Sequence, residues 1–394
     1  MNKLKIVLTI IVIIFFTILL LLFSLLSSSQ NEEKKTNEIT LLFTGDLMHH
    51  EITYNMPNYD KIYKNTQSQI KKSDLAFINI EFPINSLFPK SGYPFFNATS
   101  QYLDACIKAG FCVFSLANNH INDFGKEGII GILDSIQESI GNTNERPIFL
   151  SGVRKDKNEN FNLEIIKIKN LNIGFLSVTG FVNTERDKEY VDIVSYHNKT
   201  FNKIDNRESM KFLERVRKMR SLCDFLIISF HDGLEYQEEP EEIRKKIFRE
   251  LVLNGADIIW GHHSHSVQNT EIVDRGHLKK TDGLIVYSTG NLISGQLDFD
   301  TMPDLKNQFS ATGDGVFWEV KIKKKSNTTF IKVIKPYWIN NYLNQKDGLV
   351  VSYTNLLSKN KNLPERWKKY FTYRLKQQKR NEKIRKWKPE NNIK

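Results

Sequence analysis

The chain has 394 residues, of which 40% are hydrophobic and 26% charged, so it can bury a sizeable core. This composition excludes a mainly disordered chain, and only three cysteines exclude a disulfide-stapled scaffold. The formal net charge of +11 is uneven, because residues 365–394 hold 12 Lys/Arg and 3 Asp/Glu and so carry +9. The rest of the chain is almost neutral, and no nucleic-acid partner is predicted for the protein as a whole.

The amino terminus contains a long apolar run. Residues 6–26 are 21 consecutive uncharged residues dominated by Ile, Leu, Val and Phe, and a helix of that length spans the ~30 Å hydrocarbon layer. Lys3 and Lys5 precede the run, so the positive-inside rule places residues 1–5 in the cytoplasm and the main domain outside. A cleaved signal peptide and a buried core helix are the alternatives, but the run is long for a signal peptide and no A-x-A site follows. We predict a single-pass anchor in the cell membrane and a polar tether at 27–37.

The sequence after the tether alternates between short apolar runs and amphipathic segments, which indicates an α/β fold. Gly110 marks the end of one predicted helix, and Asp123 is expected to cap the next, which continues to about residue 139. The segments 141–160 and 184–207 are predicted to be surface insertions. The predicted strands are 39–44, 75–80, 111–116, 171–179, 225–229, 257–260, 284–288, 316–322 and 329–334, and the predicted helices are 59–71, 101–109, 123–139, 210–221 and 239–253.

Five apolar strands are each followed by, or end in, polar residues that can bind a cation. In open α/β sheets, ligands collect at the carboxyl ends of the strands. Carboxylate, amide and imidazole groups together suit divalent metals, and dinuclear hydrolytic sites use such mixed sets around ions ~3.5–4 Å apart. Each residue alone has an ordinary structural explanation, but the set predicts a functional site. Its members are Asp46, Glu81, Asn119, His231, and His263 with His265.

Six ordered motifs also carry a family resemblance. They are LFTGD at 42–46, NIE at 79–81, SLANNH at 115–120, HDGLEY at 231–236, GHHSHSVQ at 261–268 and YSTGN at 287–291. Over about residues 38–340 the chain resembles the CapA-type (PgsA-type) capsule and poly-γ-glutamate biosynthesis proteins. The resemblance implies an α/β fold of the calcineurin-like metallophosphatase type, an αββα sandwich. Residues 341–394 would then be a basic, aromatic-rich extension.

The resemblance also implies two divalent metal ions, with Mn, Zn or Fe as candidates. Asp46 and His265 would hold the first ion, and Glu81 would bridge the two. Asn119, His231 and His263 would hold the second ion. His263 is preferred to His262 because the family pattern is H-x-H, and alternate residues share a face. The sequence lacks the D-x-H histidine of ordinary metallophosphoesterases, since His49 stands three residues after Asp46.

The remaining roles implied by the resemblance concern catalysis and substrate. His120 and Asp123 would be the catalytic pair, with His120 as general acid or transition-state stabiliser. Glu235, Tyr236 and Asn291 would contact substrate or orient the ligands.

Two functional hypotheses follow. The first is a metal-dependent hydrolase or transferase that acts outside the membrane on a phosphoester or on an anionic cell-envelope polymer such as poly-γ-glutamate. The second is a non-catalytic subunit of a capsule synthase or export complex, with other synthase subunits as partners. The basic tail would either bind a polyanion or pack its aromatic side chains on the domain.

Overall fold

The computed structural model describes residues 14–24, 38–142, 146–198, 203–204, 206–276, 281–297 and 308–380. Of the predicted membrane anchor, only 14–24 lies within these ranges, where it is helical and its side chains are exposed. In the described ranges, no helix combines the length and the apolar composition that crossing a membrane requires. The rest of 6–26 and the predicted tether at 27–37 lie outside the described residues, so the anchor stays a prediction.

The strands of the described residues are numbered here in chain order. They are β1 Glu38–Leu47, β2 Leu75–Ile80, β3 Val113–Ser115, β4 Phe149–Ser151, β5 Glu164–Ile168, β6 Leu171–Thr179, β7 His197–Asn198, β8 Lys203–Ile204, β9 Phe225–His231, β10 Ile258–His262, β11 Thr270–Val273, β12 Gly283–Val286, β13 Asn291–Ile293, β14 Asp314–Lys325, β15 Thr328–Asn344 and β16 Gly348–Tyr353.

The helices of the same residues are α1 14–24, α2 Glu51–Tyr54, α3 Gln67–Lys72, α4 Ser100–Ala109, α5 Gly125–Asn142, α6 Asn206–Arg220, α7 Glu242–Leu253, α8 Thr354–Leu357 and α9 Glu365–Arg380. Helix α4 ends as predicted, because Gly110 takes a left-handed φ of 108° that a side chain would disfavour. The predicted cap of α5 is wrong. The Asp123 carboxylate is occupied by His120 and by the backbone N–H of Phe96, and Asp187 instead accepts the N–H of Lys126 at the start of the helix.

The strands form two large sheets and a small β7–β8 pair. The first sheet has the order β16-β15-β14-β1-β2-β3-β4, with β13 pairing to β1 as an additional strand. Strands β1 to β4 and β13 run parallel, and β14 to β16 are antiparallel. The second sheet has the order β11-β12-β10-β9-β6-β5, with a parallel centre and antiparallel edges. Mixed sheets of this kind confirm the predicted α/β class.

The two sheets pack face to face through a shared aromatic core. Phe43 of β1 stacks on Phe77 of β2 with ring centroids 4.6 Å apart, and Phe77 meets Phe175 of the second sheet at 5.5 Å. Trp260 of β10 lies 5.5 Å from Phe43. The outer face of the first sheet is covered by α4 and α5, and that of the second by α6 and α7. The layers therefore run helix, sheet, sheet, helix.

Several predicted boundaries differ from the structure, three of them by a whole element. The predicted insertion at 141–160 contains β4, which pairs with β3 through Leu150 and its neighbours. The predicted helix at 59–71 is interrupted, with a 3-10 turn at Tyr59–Lys61 and α3 further on, and Tyr63 between them is 1% exposed. The boundary predicted at residue 340 falls inside β15, so the carboxyl-terminal elements continue the same sheet and core.

The described part of the basic tail is an integral helix of the domain. Tyr370 and Phe371 of α9 are completely buried in the core beneath the first sheet. The Tyr370 hydroxyl donates to the carbonyl of Ser310 at 2.7 Å. Arg374 makes two hydrogen bonds to one carboxylate oxygen of Asp314, at 2.9 and 2.7 Å. The structure therefore favours the interpretation that the aromatic residues of this tail pack on the domain.

The buried Arg374–Asp314 pair leads to a stability prediction. Replacing Arg374 by methionine leaves the Asp314 carboxylate, which is 2% exposed, without its cation. We expect the free energy of unfolding to fall by about 3–5 kcal/mol, measured by urea denaturation. Lys379→Met removes the same charge from an exposed position of α9 and should change stability by less than about 0.5 kcal/mol. Equal effects of the two substitutions would contradict the structural role of the pair.

Candidate metal centre

The candidate site lies where the carboxyl ends of strands from both sheets meet. In the first sheet, Asp46 of β1 stands opposite Asn79 of β2 on one side and Asn291 of β13 on the other. In the second sheet, His231 at the end of β9 stands opposite His262 at the end of β10. Residues from distant parts of the sequence thus reach one place because their strands are neighbours.

Unusual backbone geometry shapes the site. A Cβ atom on Gly45 would lie 2.0 Å from the carbonyl oxygen of Gly290, so only glycine fits immediately before Asp46. After β10, His263 and His265 have φ values of 84° and 51°, a left-handed conformation that non-glycine residues rarely adopt. Such backbone strain is typical of functional sites, where the surrounding fold imposes it.

The predicted metal ligands come together in the described structure. Three overlapping triads each offer one ligand atom per residue, and within a triad these atoms lie within 4.8 Å of one another. The Glu81 Oε1 atom is 3.6 Å from Nε2 of His231 and 3.9 Å from Nε2 of His265. The triads are Asp46/Glu81/His265, Glu81/His231/His263 and Glu235/His263/His265.

Asn119 joins the second of these triads. Its side-chain oxygen is 2.8 Å from Nε2 of His231, and the same nitrogen is 3.2 Å from Nδ1 of His263. Glu81, Asn119, His231 and His263 are at most 4% exposed. Four donors of the predicted second ion are therefore adjacent and buried.

The charges of these groups fit a cation. Both carboxylate oxygens of Glu81 are buried without a hydrogen-bond partner, a costly state for a carboxylate. Burial, and then the neighbouring charges of Asp46 and Glu235, raise the pKa of Glu81 well above its usual value. A cation placed among these donors would remove that cost. Burial also lowers the pKa of His231, which keeps the imidazole neutral, the form that binds metals.

Asp46 remains a carboxylate despite complete burial. Burial by itself would raise the pKa of Asp46. Hydrogen bonds from His262 and His265, with the charges of His262 and His231, outweigh burial and hold the pKa well below its usual value. His262 Nδ1 donates to Asp46 Oδ1 at 2.8 Å, and the Asn79 amide donates to the same oxygen at 2.9 Å. These two neighbours leave the other carboxylate oxygen facing His265, 3.4 Å away.

His120 and Asp123 form a closely coupled pair at the edge of the site. His120 Nδ1 lies 2.8 Å from Asp123 Oδ2, which also accepts the backbone N–H of Phe96 at 2.9 Å. The Phe96 ring meets the imidazole edge-on, with centroids 4.6 Å apart. The Asn183 amide nitrogen is 3.3 Å from both imidazole nitrogens. The ring of His120 is therefore held in one orientation.

The residues predicted to contact substrate lie in different environments. Asn291 is completely buried, its oxygen 3.0 Å from Nδ1 of His265 and its amide bonded to Gln296 and to the carbonyl of Thr312. It therefore orients His265 from behind. Tyr236 is half-buried, and its hydroxyl accepts from Gln296 at 3.3 Å. Glu235 is exposed beside His263 and His265.

Sequence reasoning missed several members of this site. Asn79 stands two positions before Glu81, and strand alternation would have placed both on one face. His262 was set aside, yet it holds Asp46. His50 lies close to His265 and His120. Burial, and then the charges of these two histidines, lower the pKa of His50 to about 3. Asn183 is 63 residues after His120, and no local pattern would have identified it.

Fold and donor set together define an α/β protein with a candidate metal centre at the carboxyl ends of its strands. Residues 40–296 match the family model described as bacterial capsule synthesis protein PGA_cap. The chain therefore belongs to this family.

Two curated relatives are similar to the chain. One is the capsule biosynthesis protein CapA of Bacillus anthracis, 24% identical over 269 residues, which cover 66% of this chain and 60% of the relative. The other is the PGA biosynthesis protein CapA of Bacillus subtilis (strain 168), 23% identical over 266 residues, 64% of this chain and 63% of the relative. The chain thus spans about three fifths of the length of these relatives.

Two solved structures are also similar, at low scores. A hypothetical protein from Thermus thermophilus has a TM-score of 0.43 and 14% identity, with 76% of this chain and 98% of that chain covered. The calcineurin-like phosphoesterase YfkN from Bacillus subtilis has a TM-score of 0.37 and 12% identity, with 89% and 99% covered.

Proposed function

We propose that this protein is a metal-dependent hydrolase or transferase of the calcineurin-like metallophosphatase type that works in capsule or poly-γ-glutamate biosynthesis. The observation that carries the proposal is Glu81, a buried carboxylate without a hydrogen-bond partner among histidine, aspartate and asparagine donors. Asp46 and His265 would hold one divalent ion, and Glu81 would bridge to a second. Asn119, His231 and His263 would complete the second set.

When bound, the two ions would supply Lewis acidity and activate a water molecule for attack at neutral pH. The chain's own contribution is the proton. His120, oriented through Nδ1 by Asp123, presents Nε2 as the atom that protonates the leaving group. The edge of Phe96 and the amide of Asn183 keep the imidazole in this position.

The proposed substrate is a phosphoester or an anionic polymer of the cell envelope. The ions would neutralise the negative charge at the point of attack, as they do in other dinuclear sites. The names of the two CapA relatives, a capsule biosynthesis protein and a PGA biosynthesis protein, support a polymer of this kind. The apolar run at 6–26 supports a location on the outer face of the cell membrane, next to the subunits that make the polymer.

Metal analysis of the purified full-length protein in detergent tests the proposal. We expect about two transition-metal ions per chain, together with metal-dependent turnover of aryl phosphate esters or γ-glutamyl polymers. If the protein contains no bound metal and its melting temperature does not respond to Mn²⁺ or Zn²⁺, the proposal of a metal-dependent hydrolase is refuted. That outcome would favour the non-catalytic synthase subunit, since the missing D-x-H histidine would then reflect loss of the site.

A further inference from the structure

The loop that follows β9 is fixed against the turn that carries two of the ligand histidines. The backbone N–H of Tyr236 donates to the carbonyl of Ser264 at 2.7 Å. Ser264 lies between His263 and His265. Tyr236 itself has a φ of 61°, a left-handed conformation like those of the two histidines. This hydrogen bond thus joins two segments with left-handed backbone, and Glu235 immediately precedes the residue that donates it.

This arrangement directs the Glu235 carboxylate at the histidines. One of its oxygens and one ring nitrogen each of His263 and His265 lie within 4.8 Å of one another. Glu235 therefore faces the same centre as the buried ligands, but from the exposed side.

The two proposed ion positions have unequal numbers of donors. Glu81, Asn119, His231 and His263 provide four donors for the second ion. For the first ion, the described residues provide three, from Asp46, Glu81 and His265. The next histidine after Asp46 does not contribute.

That histidine is His49, which lies away from the ligands. Its Nδ1 is 3.2 Å from the carbonyl of Ser91, and its ring packs among Tyr54, Phe82 and Tyr102. His49 therefore does not complete the donor set of the first ion, and another residue must do so.

We propose that Glu235 is this donor: its carboxylate binds the first ion together with Asp46, Glu81 and His265, in place of the missing histidine. The inference rests on the proposed function, since it assumes the two-ion centre. It makes the first position rich in oxygen, with three carboxylates and one imidazole, whereas the second has two imidazoles. Oxygen-rich sites favour harder cations such as Mn²⁺, and imidazole suits Zn²⁺ or Fe. The two positions should therefore differ in metal preference.

Mn²⁺ titration of the full-length protein, followed by the electron paramagnetic resonance signal of free Mn²⁺, tests this inference. In Glu235→Gln we expect one of two Mn²⁺ ions to bind at least about 10-fold more weakly, with the other unaffected. Glu239→Gln is the matched control, because Glu239 is an exposed acid of the same loop whose carboxylate accepts from Asn269. Its Mn²⁺ affinities should equal those of the wild type.

The outcomes separate this inference from the proposed function. If the wild type and Glu235→Gln bind two Mn²⁺ ions with equal affinities, Glu235 is not a ligand, although the two-ion centre stands. A rise in KM without a change in Mn²⁺ binding would likewise overturn the inference and make Glu235 a substrate contact. A wild type that binds no Mn²⁺, Zn²⁺ or Fe would instead refute the proposed function. Circular dichroism of the variant checks its fold, which an exposed side chain should not disturb.

Discussion

Replacing His120 by alanine is expected to lower kcat by about 10²–10⁴-fold, the usual contribution of a positioned general acid, while the metal content and the fold stay those of the wild type. The physical reason is the geometry of the pair. Nδ1 of His120 is 2.8 Å from the Asp123 carboxylate, so Nε2, with the Asn183 amide nitrogen 3.3 Å away, is the ring nitrogen left to serve the substrate. His120 is also absent from the three triads that could hold a metal among the described residues.

Leaving-group chemistry makes the His120 experiment specific. A general acid matters most when the departing oxygen is a poor leaving group, such as an alkoxide. The defect of His120→Ala should therefore shrink with nitrophenyl esters, whose leaving group departs without a proton. A defect that is equally large for both classes, accompanied by loss of metal, would show that His120 supports the centre structurally. Wild-type turnover with alkyl esters would rule out the proton-donor role.

Replacing Glu81 by glutamine should have opposite effects on metal binding and on the stability of the metal-free protein. The substitution removes the bridging carboxylate, so the affinity for at least one ion should fall by more than about 100-fold, beyond the 10–100-fold typical of groups that only support a ligand. It also removes a buried, unpartnered charge. The chelated variant should therefore be more stable than the chelated wild type, by about 1–3 kcal/mol at pH 8.

The pH dependence of this difference follows from the pKa of Glu81. Burial raises that pKa in the folded state well above its ordinary value of 4.5, so the folded protein binds the proton more tightly than the unfolded chain. The stability of the chelated wild type should fall relative to the variant as pH rises above about 4.5, and the two should converge below it. Urea denaturation in chelator across pH measures both effects. Glu138→Gln, an exposed change on α5, is the control, and a chelated Glu81→Gln protein less stable than wild type would contradict the account.

Much of the fold could be predicted from local pattern. The strand 171–179 was predicted with its observed bounds, and α4 ends at Gly110 because a left-handed residue there favours glycine. Predictions failed where a long-range contact replaced the local one. Asp123 has the sequence position of a helix cap, but its carboxylate accepts hydrogen bonds from His120 and from the backbone N–H of Phe96 instead. Likewise, β4 is too short to stand out in the sequence and exists because β3 offers it a pairing edge.

The carboxyl-terminal helix shows the same limit. Its composition, basic with interleaved aromatic residues, was compatible with either a polymer-binding tail or a packed helix. The choice depends on whether the domain has a matching surface. Asp314 and the carbonyl of Ser310 supply it, by accepting hydrogen bonds from Arg374 and Tyr370.

The order of residues along the chain was enough to predict the α/β class, the family and the donor types of the candidate site, since the motifs place carboxylate, amide and imidazole groups at strand ends. How those donors are divided between the two proposed ion positions became visible only in the three-dimensional structure. Strand pairing and backbone strain bring Glu235 beside His263 and His265, remove His49 from the site and place Asn291 behind His265. These relations depend on contacts between segments far apart in the chain and on left-handed backbone at single residues. Neither leaves a periodic pattern in the sequence.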